Sequence, residues 1–247
     1  MAHQEDYQHW PFLNQEEFEL VCAFFDQKYI RAELGPTRKI FKIRSRRVAT
    51  TGNSYIEILR LLQLPEDGDE LSKALGMLGG GGFSGGDDEK NDADMMMDSV
   101  DEDMDQEALR SVSSTNQLPP YSQYSHQPYV TYEIHLHATY KMPTLWFTLH
   151  DLPMGDPTFD LDSVYRYLVP TQFKSELRAA GVTGGISAAP HPITDVPAFF
   201  IHPCQTKEAM ENFDCSMKDY LMVWLGLVGG CVGLWVPPEM AQTDIST

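Results

Sequence analysis

Apolar residues recur at helical spacing near the start of the chain. Residues 14–30, NQEEFELVCAFFDQKYI, open with Asn14, and Glu17 follows three residues later, which is the pattern of a capping box. The apolar residues that fall on one face of the predicted helix are Phe18, Val21, Cys22 and Phe25. We therefore expect an amphipathic helix with Cys22 in its buried face, because an unpaired cysteine packs as a small hydrophobic residue.

Two parts of the chain have sequences that predict strands. Residues 39–51, KIFKIRSRRVATT, alternate and end in the turn signal TGN at 51–53. Residues 55–64, YIEILRLLQL, fit a strand or a short helix, and we favour the strand. Residues 129–140 and 144–150 are two β-rich segments, and the KMP sequence between them indicates a hairpin corner.

The next segments predict two helices and a loop. Residues 160–169, DLDSVYRYLV, have Asp160 or Asp162 as cap and end near a proline. Residues 172–181 form a second helical pattern that ends at a glycine. Residues 181–198, GVTGGISAAPHPITDVPA, are expected to form a loop.

A last helix is predicted over residues 216–228, SMKDYLMVWLGLV, with Ser216 as its cap. Two glycines end it, and residues 231–238 are expected to be extended.

Residues 220–236 form a run of seventeen without a charge, whereas a membrane span needs about twenty. Glycines and the following prolines favour a buried core element over a tail anchor. The large apolar residues expected to pack against the sheet are Trp224, Leu227 and Trp235. The order helix, strands, helices predicts an α+β fold with an antiparallel sheet.

Charge is concentrated in one segment of the 247-residue chain. Residues 66–107 carry fifteen acidic residues and two lysines, a balance of −13 out of a net charge of −18. Glycine-rich sequence precedes this acidic run, and such composition buries too little apolar area to offset chain ordering. We therefore predict one domain over residues 1–247, with an ordered core at about 10–64 and 118–241. Residues 65–117 are predicted to be a disordered insertion.

Four cysteines, Cys22, Cys204, Cys215 and Cys231, show neither metal-site spacing nor the density of a disulfide scaffold. The first ten residues contain no apolar segment of the signal-peptide kind. We expect reduced cysteines in a cytoplasmic protein. Cys22 and Cys231 lie in core-like patterns, whereas Cys215 lies in a turn where exposure is expected.

The segment FFIHPCQTKEAM, residues 199–210, places Cys204 at a sharp turn between a strand and a helix that begins near Thr206. Unpaired N–H groups at the start of a helix favour a thiolate, which is the nucleophilic form of cysteine. His202 lies two residues earlier, so it can share a side of the extended chain with Cys204. The pattern favours a reactive cysteine over a packing one. His202 fits a polarising role and a structural role in the turn equally well.

Other histidines offer weaker alternatives. His135 and His137 lie on one strand face at a spacing that zinc can use, but no further ligand pattern accompanies them. A hydrogen-bonded or exposed pair is therefore favoured, and no metal is expected. A cysteine protease would need a histidine base, for which His150, His191 and His202 are candidates. No protease signature surrounds Cys204.

Three segments together resemble the autophagy-related protein ten family: PHPITDVPAFFIHPCQTKEAM, YEIHLHATYKMPTLWF and YLMVWLGLVGGCVGLWVP. The histidine–proline–cysteine turn and the YKMP corner are shared with the sister E2-like enzymes that modify a lipid. The ending VGGCVGLWVPPEMA favours the first family, and the resemblance covers residues 129–241. It implies an E2-like fold, with an antiparallel sheet flanked by helices.

The resemblance also implies an activity, with no cofactor. Cys204 would accept the modifier, autophagy-related protein twelve, from the E1-like autophagy-related protein seven as a thioester. A lysine of the acceptor, autophagy-related protein five, would then attack it. Such a protein works in the cytoplasm, with transient presence at the membranes where autophagosomes assemble. It has no nucleic-acid partner and no stable membrane insertion.

The resemblance leaves one catalytic function unassigned. Ubiquitin E2 enzymes use an asparagine shortly before the cysteine as oxyanion donor, and no asparagine lies between Asn116 and Asn212 here. His202 and a strand tyrosine, Tyr132 or Tyr140, are the candidate substitutes, although ordinary strand packing also explains the tyrosines. A non-catalytic adaptor with the same fold, and a tail-anchored membrane protein, are the competing hypotheses. The intact HPC sequence argues against the adaptor.

Overall fold

Six antiparallel strands form one sheet in the computed structural model, which describes residues 7–62 and 127–242. The strand order across the sheet is β1-β2-β3-β4-β6-β5, and every neighbouring pair is antiparallel. The strands are β1 (Phe41–Arg47), β2 (Ser54–Leu61), β3 (Tyr129–Leu136), β4 (Pro143–His150), β5 (Ile186–Pro190) and β6 (Pro197–Ile201). The predicted insertion at 65–117 lies outside the described residues.

Six α-helices accompany the sheet within the described residues. They are α1 (Gln15–Arg31), α2 (Thr37–Ile40), α3 (Leu161–Tyr167), α4 (Thr171–Gly184), α5 (Thr206–Glu211) and α6 (Tyr220–Val228). Short 3-10 turns lie at Pro153–Gly155, Pro203–Gln205, Gly229–Val232 and Pro238–Met240. The α+β prediction with an antiparallel sheet is therefore confirmed.

The predicted caps of two helices are confirmed. Asn14 accepts a hydrogen bond from the Glu17 amide at 2.9 Å, and the Glu17 carboxylate accepts one from the Asn14 amide at 2.7 Å. This reciprocal pair satisfies two N–H groups that the start of α1 would otherwise leave unpaired. At α3 the cap is Asp160, whose carboxylate accepts from the Ser163 amide at 2.9 Å.

The core lies between one face of the sheet and the helices α1 and α6. The α1 residues predicted to be buried are all at most 1% exposed: Phe18, Val21, Cys22 and Phe25. Alternate residues of β3 belong to the same buried cluster, with Val130, Tyr132 and Ile134 completely buried. The intervening β3 residues lie on the other face of the sheet, which is only partly covered. Alternate residues of β3 thus form a buried face and a partly covered face.

The predicted loop at 181–198 is wrong, because it contains β5. Residues Ile186–Pro190 pair with β6 in a regular antiparallel register that runs from Ile186 opposite Ile201 to Pro190 opposite Pro197. Alanine and proline give this strand little β propensity. It forms at the edge of the sheet, where proline is tolerated and the ladder with β6 supplies the hydrogen bonds.

Two strand boundaries also differ from prediction. Residues 37–40 form the short helix α2, so β1 begins only at Phe41. The segment after residue 54 is the strand β2, as favoured over a helix. β3 ends at Leu136, and a turn closed by hydrogen bonds from the His137 amide to Met142 and from the Lys141 amide to His137 leads into β4. Lys141 has φ of 51°, a left-handed value that tightens this turn.

The apolar tail forms α6 and two 3-10 turns rather than a long helix. No helix in the described parts of the chain is long and apolar enough to cross a membrane. Ser216 was predicted to be the N-cap of α6, and this prediction is wrong. Asp219 occupies that position, and the Ser216 hydroxyl donates to its carboxylate at 2.9 Å. The extended segment predicted at 231–238 begins instead inside a 3-10 turn, Gly229–Val232.

Only one of the three tail residues expected in the core is buried. Trp224 is 1% exposed, but Leu227 is 39% and Trp235 is 56% exposed. Leu227 lies outside the buried stripe of α6. Trp235 packs over Gly230, where an added Cβ would lie 2.8 Å from the indole ring. The indole therefore covers its own segment of chain instead of the sheet.

Candidate active site

The turn around Cys204 connects β6 to α5. The 3-10 turn Pro203–Gln205 leads directly into the helix at Thr206, as the sequence predicted. The Thr206 hydroxyl donates a buried hydrogen bond to the Pro203 carbonyl at 2.6 Å, and this bond stabilises the turn. Cys204 is partly exposed at this position. Because α5 has only six residues, the geometry of the turn defines the site more than any helix dipole does.

His202 is held by the backbone of the cysteine. It occupies the N-cap position of the 3-10 turn, and its Nδ1 accepts a hydrogen bond from the Cys204 amide at 3.2 Å. An acceptor Nδ1 assigns the proton of the neutral ring to Nε2. In this tautomer the free end of the imidazole is a hydrogen-bond donor. The ring therefore both positions the cysteine and presents an N–H group.

The β3–β4 turn brings Tyr140 against His202. The two ring centroids are 5.3 Å apart and nearly perpendicular, at 76°. Tyr140 is 40% exposed, so part of the residue is accessible to a bound partner. This residue of the shared YKMP corner is thus brought to the cysteine turn.

His137 lies on the other side of Tyr140, with its ring centroid 4.8 Å from the tyrosine ring. Its Nδ1 faces the amides of Thr139 and Tyr140 at 3.2 and 3.3 Å. Burial lowers the pKa of His137, and so would repulsion from His202 whenever that ring is protonated; both effects favour a neutral His137 ring. The sequence presented His137 only as a possible zinc-binding partner of His135. Its place three residues before Tyr140, in the same tight turn, is the signal that could have identified it.

Tyr132, the other candidate tyrosine, lies in the core instead. It is completely buried, and its hydroxyl donates to the Val232 carbonyl at 2.7 Å. Arg60 donates to the same hydroxyl at 3.4 Å. Burial raises the pKa of Tyr132. These contacts make Tyr132 a structural residue, and the site retains Tyr140.

The other three cysteines lie in surroundings that disfavour thiolate. Burial raises the pKa of the Cys22 thiol, and it raises that of Cys215 and of Cys231 to about 11. Cys215 was expected to be exposed, but it is 7% exposed, and the Tyr7 hydroxyl donates to its carbonyl. Cys231 donates its thiol hydrogen to the Val228 carbonyl at 3.0 Å. Thiolate is the nucleophilic form, so these three are poor nucleophiles at neutral pH.

The three histidines considered as protease bases do not converge on Cys204. His150 stacks on Tyr129 and contacts the Thr148 hydroxyl at 2.9 Å. His191 lies 3.3 Å from the Glu133 carboxylate, on the partly covered face of the sheet. Of the three, His202 is the one bonded to the cysteine. Its tautomer gives Cys204 no imidazole lone pair to accept the thiol proton, which a protease base must do.

A cavity of about 390 Å³ lies beside the turn, between α4, α5 and α6. Its lining includes the apolar residues Phe173, Leu177, Ile201 and Leu227 and the polar residues His202 and Thr206. The volume lies in the range of small-ligand pockets. No sequence signal predicted it, because its walls come from five separate elements.

Comparison with known proteins gives matches over most of the chain. The family of the autophagocytosis associated protein, active-site domain, matches residues 17–239. The ubiquitin-like-conjugating enzyme ATG10 of Gibberella zeae is 42% identical over 95% of this chain and 98% of its own length. ATG10 of Arabidopsis thaliana is 31% identical over 54% of this chain and 61% of its own. ATG10 of Homo sapiens is 32% identical over 46% of this chain and 53% of its own length.

These matches confirm the resemblance drawn from the three sequence segments, and the antiparallel sheet with flanking helices agrees with an E2-like fold. The chain therefore belongs to the autophagocytosis associated protein, active-site domain family, and it is an E2-like ubiquitin-like-conjugating enzyme of autophagy.

Proposed function

We propose that Cys204 carries autophagy-related protein twelve as a thioester, received from the E1-like autophagy-related protein seven, and passes it to a lysine of autophagy-related protein five. The observation that carries the proposal is a partly exposed thiol on a rigid turn, beside an imidazole that the same turn positions. The proposal includes a cytoplasmic location, with transient presence at the membranes where autophagosomes assemble.

The proposed reaction has two steps, loading and discharge, and each transfers the acyl group of the modifier from one atom to another. In loading, the Cys204 thiolate attacks the carbonyl carbon of the thioester between the modifier and the E1-like enzyme, whose thiol leaves. In discharge, the lysine amine attacks the new thioester, Cys204 leaves as thiolate, and the amine loses its proton to water. The product is an isopeptide bond. Both steps pass through a tetrahedral intermediate with negative charge on the former carbonyl oxygen.

His202 is the proposed donor to that oxygen in the discharge step. Its Nδ1 is occupied by the Cys204 amide, so Nε2 carries the hydrogen that can stabilise the oxyanion. The edge contact from Tyr140 limits the freedom of the ring. A fixed donor needs no reorganisation as charge develops, which is the reason such groups accelerate acyl transfer. This role replaces the asparagine that the segment before Cys204 lacks.

The proposal is tested by loading in vitro. The full chain is incubated with the E1-like enzyme, the modifier and ATP, and the products are separated by electrophoresis with and without reducing agent. Wild type should form an adduct that reducing agent removes, because thiols exchange with a thioester. Cys204→Ser should form an oxyester that survives reducing agent.

Cys215→Ser is the matched control, because Cys215 lies only eleven residues after Cys204 but is buried. It should load like wild type. A reducible adduct that persists in Cys204→Ser would contradict the assignment of the nucleophile. Binding of the modifier with no adduct in wild type would support the adaptor hypothesis instead.

A further inference from the structure

Glu133, His135 and His191 bring three metal-ligand atoms together on the partly covered face of the sheet. The Glu133 carboxylate oxygen Oε2 lies 2.8 Å from Nε2 of His135 and 3.3 Å from Nε2 of His191. The ligand atoms of all three residues lie within 4.8 Å of one another. The cluster involves neither Cys204 nor the residues around it.

The fold brings these residues together from two separate parts of the chain. Glu133 and His135 are alternate residues of β3, so their side chains share one face. His191 begins the connection between β5 and β6 and packs edge-on against Trp146 of the intervening strand β4. The Tyr55 ring stacks on His135 at 4.7 Å between centroids. Both imidazoles are therefore held in place by aromatic neighbours.

We propose that Glu133, His135 and His191 form a binding site for a divalent transition metal, with zinc as the ion that this ligand set suits. Two imidazole nitrogens and one carboxylate oxygen are a common set of three protein ligands for zinc, with water in the fourth position. A hard cation such as magnesium or calcium would prefer oxygen ligands alone.

Metal binding to this site needs no net release of protons, because the two rings are neutral and the carboxylate is ionised. In the metal-free protein the two Nε2–H groups donate to the Glu133 carboxylate. Metal binding requires each neutral ring to move its proton to Nδ1, so that Nε2 offers its lone pair. At His191 this change replaces the 3.4 Å contact from the Ile193 amide, which lies at the long limit of hydrogen bonding. Protonation of the rings competes with the metal, so affinity falls as pH falls.

The burial of the three side chains supports a site of this kind. The side chains of His191 and His135 are 7% and 12% exposed, and that of Glu133 is 21% exposed. A bound ion would connect β3 to the β5–β6 hairpin, whose second strand leads into Cys204.

The structure supplies a matched control. His150 lies at the far end of β4 and stacks on Tyr129 at 4.4 Å, as His135 stacks on Tyr55. It contacts the Thr148 hydroxyl instead of a carboxylate. His150→Gln and His135→Gln therefore each remove one stacking contact between an imidazole and a tyrosine ring. Only His135→Gln also removes a proposed metal ligand.

The test is a zinc titration of the full, untagged chain, stripped with a chelator that is then removed. Binding is measured by competition with a chromophoric zinc indicator, in a Cys204→Ser background so that the thiol and its neighbouring histidines do not contribute. The parent and the His150→Gln variant should bind one tight equivalent of zinc, and His135→Gln and His191→Gln should lose it. Equal binding by His135→Gln and His150→Gln, or no tight equivalent in any variant, would overturn the proposal.

A second measurement keeps the proposal testable if a ligand variant fails to fold. Cobalt(II) added to the stripped Cys204→Ser protein should give visible d–d absorption of a four- or five-coordinate site without a thiolate charge-transfer band. Zinc should abolish this absorption. A spectrum unchanged from that of cobalt in buffer would contradict a site formed by these residues.

Discussion

Single hydrogen bonds around the turn decide what each residue at the site can do. His202 is bonded through Nδ1 to the Cys204 amide, and this bond both fixes the turn and determines which nitrogen carries the proton. The two functions are separable, because asparagine can imitate one end of the ring. Its Oδ1 can accept from the Cys204 amide as Nδ1 does, but it offers no group at the position of Nε2.

We therefore predict that His202→Asn loads the modifier like wild type but discharges it about 100-fold more slowly, the cost of removing one oxyanion donor. His202→Ala removes both functions, so it should also load more slowly. Single-turnover discharge of the preloaded enzyme to its acceptor measures the effect. Normal discharge by His202→Asn would exclude the imidazole as oxyanion donor and direct attention to Tyr140.

At the scale of elements, the prediction of structure from sequence succeeded where the hydrophobic period was strong. The helical spacing around Phe18 identified α1 and its buried face correctly, and β-rich composition identified β3. β5 was missed, because Ala188 and Ala189 carry no hydrophobic alternation and the strand depends on pairing with β6. At the candidate site, Cys204 and His202 were proposed from local sequence, and the structure places them on one turn. The place of His137 depends on how the β3–β4 turn packs against another element.

The tail shows how composition alone misleads about burial, and it provides a paired test of stability. Trp224 is 1% exposed in α6, whereas Trp235 is 56% exposed over Gly230. Trp224→Ala should lower the free energy of unfolding by about 3–5 kcal/mol, the usual cost of deleting a buried aromatic side chain. Trp235→Ala should cost about 1 kcal/mol or less, because most of its ring already contacts water.

Urea denaturation of both tryptophan variants, with shared baselines and slopes, measures the difference. Equal losses would mean that Trp235 is covered in solution. That result would restore the sequence-based expectation that the whole tail packs against the core.

At the scale of the whole molecule, the candidate active site and the cluster of Glu133, His135 and His191 consist of different residues around the same sheet. The cysteine turn, with His202 and Tyr140, uses the end of β6 and the β3–β4 turn. The Glu133 cluster uses the middle of β3 and the beginning of the β5–β6 connection. Both sites use β3 and the hairpin of β5 and β6, so a constraint on the second cluster also constrains the strand that leads to Cys204.

The Glu133 cluster should also make the stability of the metal-free chain depend on pH in the acid range. The pKa of Glu133 is about 2 in the folded chain, against about 4.3 for a glutamate in an unfolded chain. A folded pKa below the unfolded one means that the unfolded state binds more protons between these values. The contribution of Glu133 to stability is therefore complete above about pH 5 and is lost as pH falls toward about 2.

Glu133→Gln removes this titration and retains a side chain that can accept from the histidines. We expect wild type to exceed the variant in unfolding free energy at about pH 5, where the contribution of Glu133 is complete. The excess should shrink steadily from about pH 4 downward. Urea denaturation across this range, with chelator present, measures both proteins, and Glu208→Gln on the exposed surface of α5 controls for the substitution itself. An excess that stays constant down to about pH 2.5 would show that His135 and His191 do not lower the pKa of Glu133, so the three side chains would not be in contact in solution.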